Sequence, residues 1–360
     1  MKSTQPSYPW LPILSPLVAI AIALLVGGVL IALTGANPLN AYAILFRESL
    51  LDGYGIGNTL TKVTPLLLAA SGVLVALRAG LLNIGGEGQI HMGGLGAAIV
   101  GLYVHGLPAW VHIPLALLGG FLLGAIWGGI PGYLKAIRGV NEVITTLLLN
   151  YIALNIVSYL VQHPMIEPGA SNPFTPIIDE SAKLPLLVQG GAAHAGIFVG
   201  LIATGVLGIL FRQSALGYQI EMVGQNPVAA RYAGISVSKI IMLVMAIAGG
   251  LAGLAGASEV MGIKHRLFEV ISPGYGYEAV AIALLSRGSF TGVVLTSVFF
   301  GALRSGANVL QREAEIPFTI VYAIQGLTVL FIAISLAVEH QVLKRITSRR
   351  GQIEAAGANS

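Results

Sequence analysis

The chain has 360 residues, 55% of them hydrophobic and 9% charged, with a formal net charge of +4 and a mean hydropathy of +0.83. A soluble domain of this length carries roughly 25% charged residues, so the composition excludes an ordinary soluble enzyme or binding domain and points to membrane spans. Cysteine is absent, which excludes disulfides and cysteine-based metal sites. The positive balance is no sign of nucleic acid, because in a membrane chain the placement of Lys and Arg matters more than their sum.

The first expected element is a span over 11–34, retained because it outruns a signal-peptide core and lacks a small-residue cleavage site. Further apolar runs follow at 63–77, 93–104, 113–134, 143–161, 196–211, 240–261, 291–303 and 316–338, with a shorter one at 278–286. About 20 residues cross about 30 Å of hydrocarbon, which gives about ten crossings. The runs 93–104 and 278–286 reach that length only if polar flanks also enter the membrane. An even count puts both termini on one side, and the basic tail (Lys344, Arg345, Arg349, Arg350) marks that side as cytoplasmic. Arg78, Lys135, Arg138, Arg212, Arg231, Lys239 and Arg287 then fall inside, while Lys62, Lys264 and Arg266 fall outside among acidic residues. The expected organisation is one all-α transmembrane domain over 1–360, with about ten helices that include broken or half-helices. It has an extracytoplasmic loop at 162–195, a cytoplasmic loop at 212–239 and a cytoplasmic tail at 340–360. The outer loop is rich in proline and is either a docking surface or a plain loop.

Polar side chains within spans are costly and are candidates for function. The first cluster is Asn83-Ile84-Gly85-Gly86-Glu87-Gly88-Gln89, where three glycines allow a broken backbone of the kind that builds transport sites. Glu87 can line a pathway or cap the helix that follows it. The second cluster runs from Ser272 to Glu278 through Tyr275 and leads into a short apolar helix, a second candidate half-helix. The third is Asn150, Tyr151 and Asn155; the two amides are about 140° apart around a helix and do not share a narrow face. The pathway candidates are therefore Asn83, Glu87, Gln89, Asn150, Asn155, Tyr275 and Glu278. Glu259, Arg304 and Asn308 are isolated, and Arg304, near a span end, is expected to snorkel. Gly120, Gly124, Gly128 and Gly132 recur every four residues, as do Gly249 and Gly253, and read as close-packing faces. No histidine spacing fits a metal site and no catalytic constellation can be placed in one compartment.

The cytoplasmic loop carries EMVGQNPVAARYAGIS at 221–236. Asn226 is a good N-cap, Pro227 fits the first helical position, and Gly234 can close the helix in a left-handed conformation. A two-turn helix bounded in this way can dock into a groove on another protein, and Arg231 and Tyr232 are residue types enriched at contact hot spots. The segment resembles the EAA-type loop of ABC importer permeases, with Val228-Ala229-Ala230, three residues, then Gly234. It departs in having Val228 for Glu and in lacking a downstream Ile-x-Leu-Pro. The fuller string GQNPVAARYAGI, with RAGLLNIGGEGQ (78–89), ISPGYGYEAVAIALLSR (271–287) and NEVITTLLLNYIA (141–153), resembles the branched-chain amino acid, ribose and nucleoside permeases, nearest the nucleoside or simple-sugar branch.

The resemblance implies an ABC permease fold and an ATPase-coupling site at Gly224, Asn226, Pro227, Ala229, Ala230, Arg231, Tyr232 and Gly234. It implies as partners an ABC ATPase, a second homologous permease chain in a heterodimer, an extracytoplasmic binding protein and membrane lipid. The chain has no Gly-Lys dipeptide and so no Walker A loop, and it is expected to be a transport subunit without enzyme activity or cofactor. ATP and Mg would be used by the ATPase. The resemblance implies a nucleoside as solute, with a simple sugar or branched-chain amino acid as alternatives. An ion-coupled secondary transporter using Glu87, Glu259 and Glu278 is the competing class.

Overall fold

The computed structural model describes residues 11–187, 191–314, 316–317, 319–331 and 334–335. The basic tail expected at 340–360 lies outside the described residues. The helices are α1 (Leu11–Leu33), α2 (Pro38–Leu50), α3 (Gly53–Arg78), α4 (Gly86–Tyr103), α5 (Ala109–Arg138), α6 (Glu142–Gln162), α7 (Gly196–Gln213), α8 (Ala215–Gln225), α9 (Pro227–Tyr232), α10 (Val237–Glu259), α11 (Tyr275–Leu285), α12 (Phe290–Glu313) and α13 (Thr319–Phe331). Among the described residues there are no strands, only isolated bridges. By length and apolarity six helices can cross a membrane, and a seventh crossing is possible through the bent pair Val18–Leu33 and Pro38–Leu50. The buried α4 and the short apolar α11 and α13 bring the apolar elements near the expected ten.

The chain divides into two compact units, 49–305 and 1–48 with 306–360. In the smaller unit α1 and α2 meet at 116°, and the Tyr42 hydroxyl donates to Leu24 O at 2.6 Å. The larger unit holds the inner helices α3 and α10, 83% and 67% buried over their apolar windows, around the buried α4. Outside them α5, α6 and α7 leave most of their apolar surface exposed, as helices facing lipid do.

Glycine sets how closely the inner layer packs. Gly120, Gly124 and Gly128 on α5 lie against the backbone of Met245, Gly249 and Gly253 on α10. At the same glycines α10 also meets α4, where a Cβ on Gly93 would overlap Gly253 and one on Gly256 would overlap Ile90 O. Small residues allow this approach where lipid gives no hydrophobic drive between helices. The two glycine ridges thus pack on each other within one chain.

Two helix starts differ from the apolar runs. α3 begins at Gly53, ten residues before the run at 63, because Asp52 Oδ2 accepts from Gly55 N at 3.0 Å and caps it. α4 begins at Gly86, so Glu87 and Gln89 stand inside the helix and supply the length the run lacked. The loop after α6 is folded onto the segment after α10: Thr175 N donates to Leu267 O at 3.0 Å, Ile178 N to His265 O at 2.9 Å and Leu184 N to Met261 O at 2.9 Å. Arg266 pairs with Glu167 at 2.8 Å and lies over the Phe174 ring.

Candidate functional site

The loop between α7 and α10 forms the short helix α9 with both ends capped. Asn226 Oδ1 accepts from Val228 N and Ala229 N, each at 3.0 Å. At the other end Gly234 takes a φ of +80°, Gly234 N donates to Arg231 O at 3.0 Å and Ile235 N donates to Ala230 O at 3.0 Å. This pair of bonds satisfies the last carbonyls in a Schellman closure, which needs a residue tolerant of the left-handed region. Asn226, Pro227, Ala229, Arg231, Tyr232 and Gly234 stand exposed, and Tyr232 is 91% exposed. Ala230 is buried beneath the helix, and Gly224 packs its backbone on Arg78–Gly80 at the end of α3. These two residues support the protruding face and do not form part of it.

The element under α9 is held by one guanidinium. Arg78 pairs with Glu221 of α8 and donates to Gly288 O just beyond α11, with Nε at 3.0 Å. It also lies over the Phe211 ring at 5.5 Å. A single side chain thus ties the end of α3 to the middle of α8 and to the turn after α11.

The two glycine-rich breaks of the sequence meet. Gly86 stands against Gly276, and a Cβ on Gly276 would overlap Glu87 N. Glu87 turns its carboxylate across this contact and accepts from Gly276 N at 2.8 Å and Gly274 N at 3.2 Å. It therefore caps α11, not its own helix, and places a negative charge at the positive end of α11. Asn150 closes the other side: its Oδ1 accepts from Gly88 N at 2.8 Å and its Nδ2 donates to Ile84 O at 2.9 Å. Asn83 and Gln89 bond each other at 3.0 Å within the break. Backbone groups freed by a broken helix are costly in a membrane unless satisfied, and these side chains satisfy them.

Glu278 and Arg304 form a buried pair at 2.7 Å, with Arg304 also donating to Pro273 O at 2.8 Å and lying 4.5 Å over the Tyr275 ring. Arg304 is thus enclosed and does not snorkel: a carboxylate, a carbonyl and a ring are all within its reach. Tyr275 is fully buried. Of the pathway candidates, Asn83, Glu87, Gln89, Asn150, Tyr275 and Glu278 gather around the paired breaks, whereas Asn155 is separate. It stands on the exposed face of α6 with Tyr151 and Tyr159 at four-residue spacing, and its Nδ2 donates to Tyr151 O at 2.7 Å. A shallow hollow of about 420 Å³ runs over these three residues.

Lys62 is a residue the apolar pattern left out of its helix. It belongs to α3 and is half-buried; the charges acting on it are Glu259, Arg304 and Lys264. Glu259 is 2% exposed, with Oε1 unpaired among the described residues. The N-cap Asp52 was the signal that would have drawn Lys62 into the helix. His194, in the loop before α7, is wedged between Gly196 and Gly262. Burial first, then the nearby His265 and Lys62, lowers its pKa to about 4.

The family model for the permease component of branched-chain amino acid transport systems matches residues 55–333. The chain belongs to this family. It is 36% identical to a glucose ABC transporter permease of Haloferax volcanii over 91% of this chain and 88% of the relative. It is 35% identical to a guanosine ABC transporter permease of Bacillus subtilis over 96% and 98% of the two chains. It is 33% identical to a nucleoside ABC transporter permease of Lactococcus lactis over 91% and 92%. The permease is therefore a multi-pass protein of the cell membrane and a subunit of an ABC importer, as the motif strings implied. Membership implies an ATPase and a substrate-binding protein as partners, and it displaces the ion-coupled class.

Proposed function

We propose that this permease carries nucleosides inward, powered by a separate ATPase that docks on α9. The observation that carries the solute is the near full-length similarity to permeases named for guanosine and nucleosides. A sugar is the second reading, favoured by the glucose relative. The exposed strip of α6 agrees better with a nucleoside. Tyr151 and Tyr159 offer ring faces for a base, and Asn155 offers an amide for its edge.

Both termini are cytoplasmic in this reading, and α9 projects on the same side. The exposed Tyr232 and Arg231 enter a groove of the ATPase, while Arg78 passes displacement of α8 to α3 and α11. The chain itself has no ATPase site and no cofactor; ATP and Mg are used by the partner. A second, homologous permease chain covers the α6 strip in a heterodimer, and the folded outer loop 162–195 receives the binding protein. The paired breaks act here as the frame of the pathway, and the α6 strip as its wall.

The test is uptake of labelled guanosine and glucose into vesicles containing the permeases, ATPase and binding protein. Vanadate-sensitive guanosine uptake, lost on Arg231→Glu and weakened by Tyr151→Ala, is expected. Glucose uptake without nucleoside uptake would remove the solute assignment, and normal transport by Arg231→Glu would remove α9 as the docking element.

A further inference from the structure

The packing of α3 on α10 sets a lysine against a glutamate. The two helices touch where a Cβ on Gly72 would stand 2.7 Å from Ala248 O. Lys62 precedes Gly72 on α3 and Glu259 follows Ala248 on α10 by nearly the same length of helix, so antiparallel packing brings both to one level. Glu259 is 2% exposed, and its Oε1 is without a partner among the described residues. Of the charges around it Lys62 acts most strongly, ahead of Lys264 and Arg304. The other two cations are engaged elsewhere. Arg304 pairs with Glu278 at 2.7 Å and donates to Pro273 O at 2.8 Å. Lys264 lies over the Phe268 ring at 5.1 Å. Lys62 is half-buried and makes no ion pair, hydrogen bond or ring contact among the described residues.

The backbone changes character directly after Glu259. Val260–Lys264 forms a π-turn, in which His265 N donates to Val260 O at 2.8 Å, and His265 takes a φ of +54°. π-turns and non-glycine residues in the left-handed region are costly and cluster where a structure acts or switches. A buried carboxylate oxygen without a donor is costly too, and an unpartnered ammonium beside it is the group that would relieve that cost. A pair that stands open in one conformation of a transporter and closed in another biases the equilibrium between them. We propose that Lys62 and Glu259 form a latch of the transport cycle, open in this structure and closed into a buried ion pair in one nucleotide state of the importer, with the π-turn at 260–264 as the segment that yields. The latch rests on membership of the importer family and on neither the solute nor the docking helix.

The experiment is amine labelling of the wild-type permease–ATPase complex, read at Lys62 by mass spectrometry without nucleotide and after trapping with ATP and vanadate. Labelling of Lys62 should differ about tenfold between the two states, the ratio produced by a pair favoured ten to one in one of them. Glu259→Gln, which removes the charge and keeps the shape, should bring the two states to equal labelling. Equal labelling of the wild type in both states overturns the proposal. A difference that survives Glu259→Gln also overturns it, by giving Lys62 another partner, and a change at Lys264 with none at Lys62 overturns the choice of lysine. If Glu259→Gln fails to assemble, thermal unfolding of Lys62→Met supplies the second measurement. Unfolding lowered in only one of the two states is expected, with Lys62→Arg restoring it. Equal lowering in both would make Lys62 a plain structural residue and overturn the latch.

Discussion

Replacing Glu87 with Gln decides what this buried carboxylate does. It accepts from Gly276 N at 2.8 Å and Gly274 N at 3.2 Å, two backbone donors at the start of α11, and is 4% exposed. Hydrogen bonds to a charged acceptor contribute about 1.5–3 kcal/mol each, and a charge at a partly buried helix end adds up to about 2 kcal/mol. A glutamine keeps one acceptor oxygen and turns an NH2 group toward the other donor. The contributions overlap, so the expected cost is about 2–4 kcal/mol, well above that of an exposed cap. If the loss is local, the amides at the start of α11 should open more readily. A cost of 2 kcal/mol corresponds to about thirtyfold faster hydrogen exchange at 274–278. Thermal unfolding of the detergent-solubilised protein should fall with it, and Glu87→Ala should fall further by leaving both donors unpaired. Unchanged exchange and unfolding together with lost transport would refute the capping role and return Glu87 to the pathway.

Gly253→Ala should destabilise the inner layer by about 1–3 kcal/mol, because its Cβ would strike Gly120 O. Gly129→Ala on the same α5, where nothing lies within 4 Å, should be neutral or slightly stabilising; similar unfolding of both would refute the packing account. Asn226→Ala removes the acceptor for two backbone donors and should cost α9 about 1 kcal/mol, read as weaker co-purification of the ATPase with little change in thermal unfolding. His194 is neutral in the fold down to about pH 4, whereas an exposed histidine takes up a proton near pH 6.5. Between these values the unfolded chain binds more protons, so stability is full above about pH 6.5 and declines as pH falls toward 4, by at most about 3 kcal/mol. His194→Phe should flatten that decline, and an unchanged acid profile would show that other groups set it.

The parts of the fold that were legible in the sequence are those fixed by neighbours in the chain. Asn226, Pro227 and Gly234 bounded α9 because capping bonds reach only two to four residues, and the structure makes those bonds. The four-residue glycine spacing identified packing faces, since one helix face repeats at that interval. Hydropathy likewise found the spans, but it placed helix starts where the apolar run began. It therefore left Lys62 outside its helix, although Asp52 begins α3 a full ten residues earlier. What no local pattern holds is the identity of a distant partner. Glu87 reads equally as a cap for its own helix or a pathway group, and the helix it caps lies 189 residues on at Gly276. Arg304 looked able to reach the interface until Glu278 and Tyr275 closed around it. Asn155 shows the converse. It was grouped with Asn150 by sequence proximity, yet Asn150 is consumed by the break while Asn155 faces outward with two tyrosines. Tyr151, Asn155 and Tyr159 share the exposed side of α6 with Leu148 and Ile152, whereas the exposed face of α7 at Ile202 and Val206 is apolar. That the two amides part company in this way is visible only once the helices are assembled.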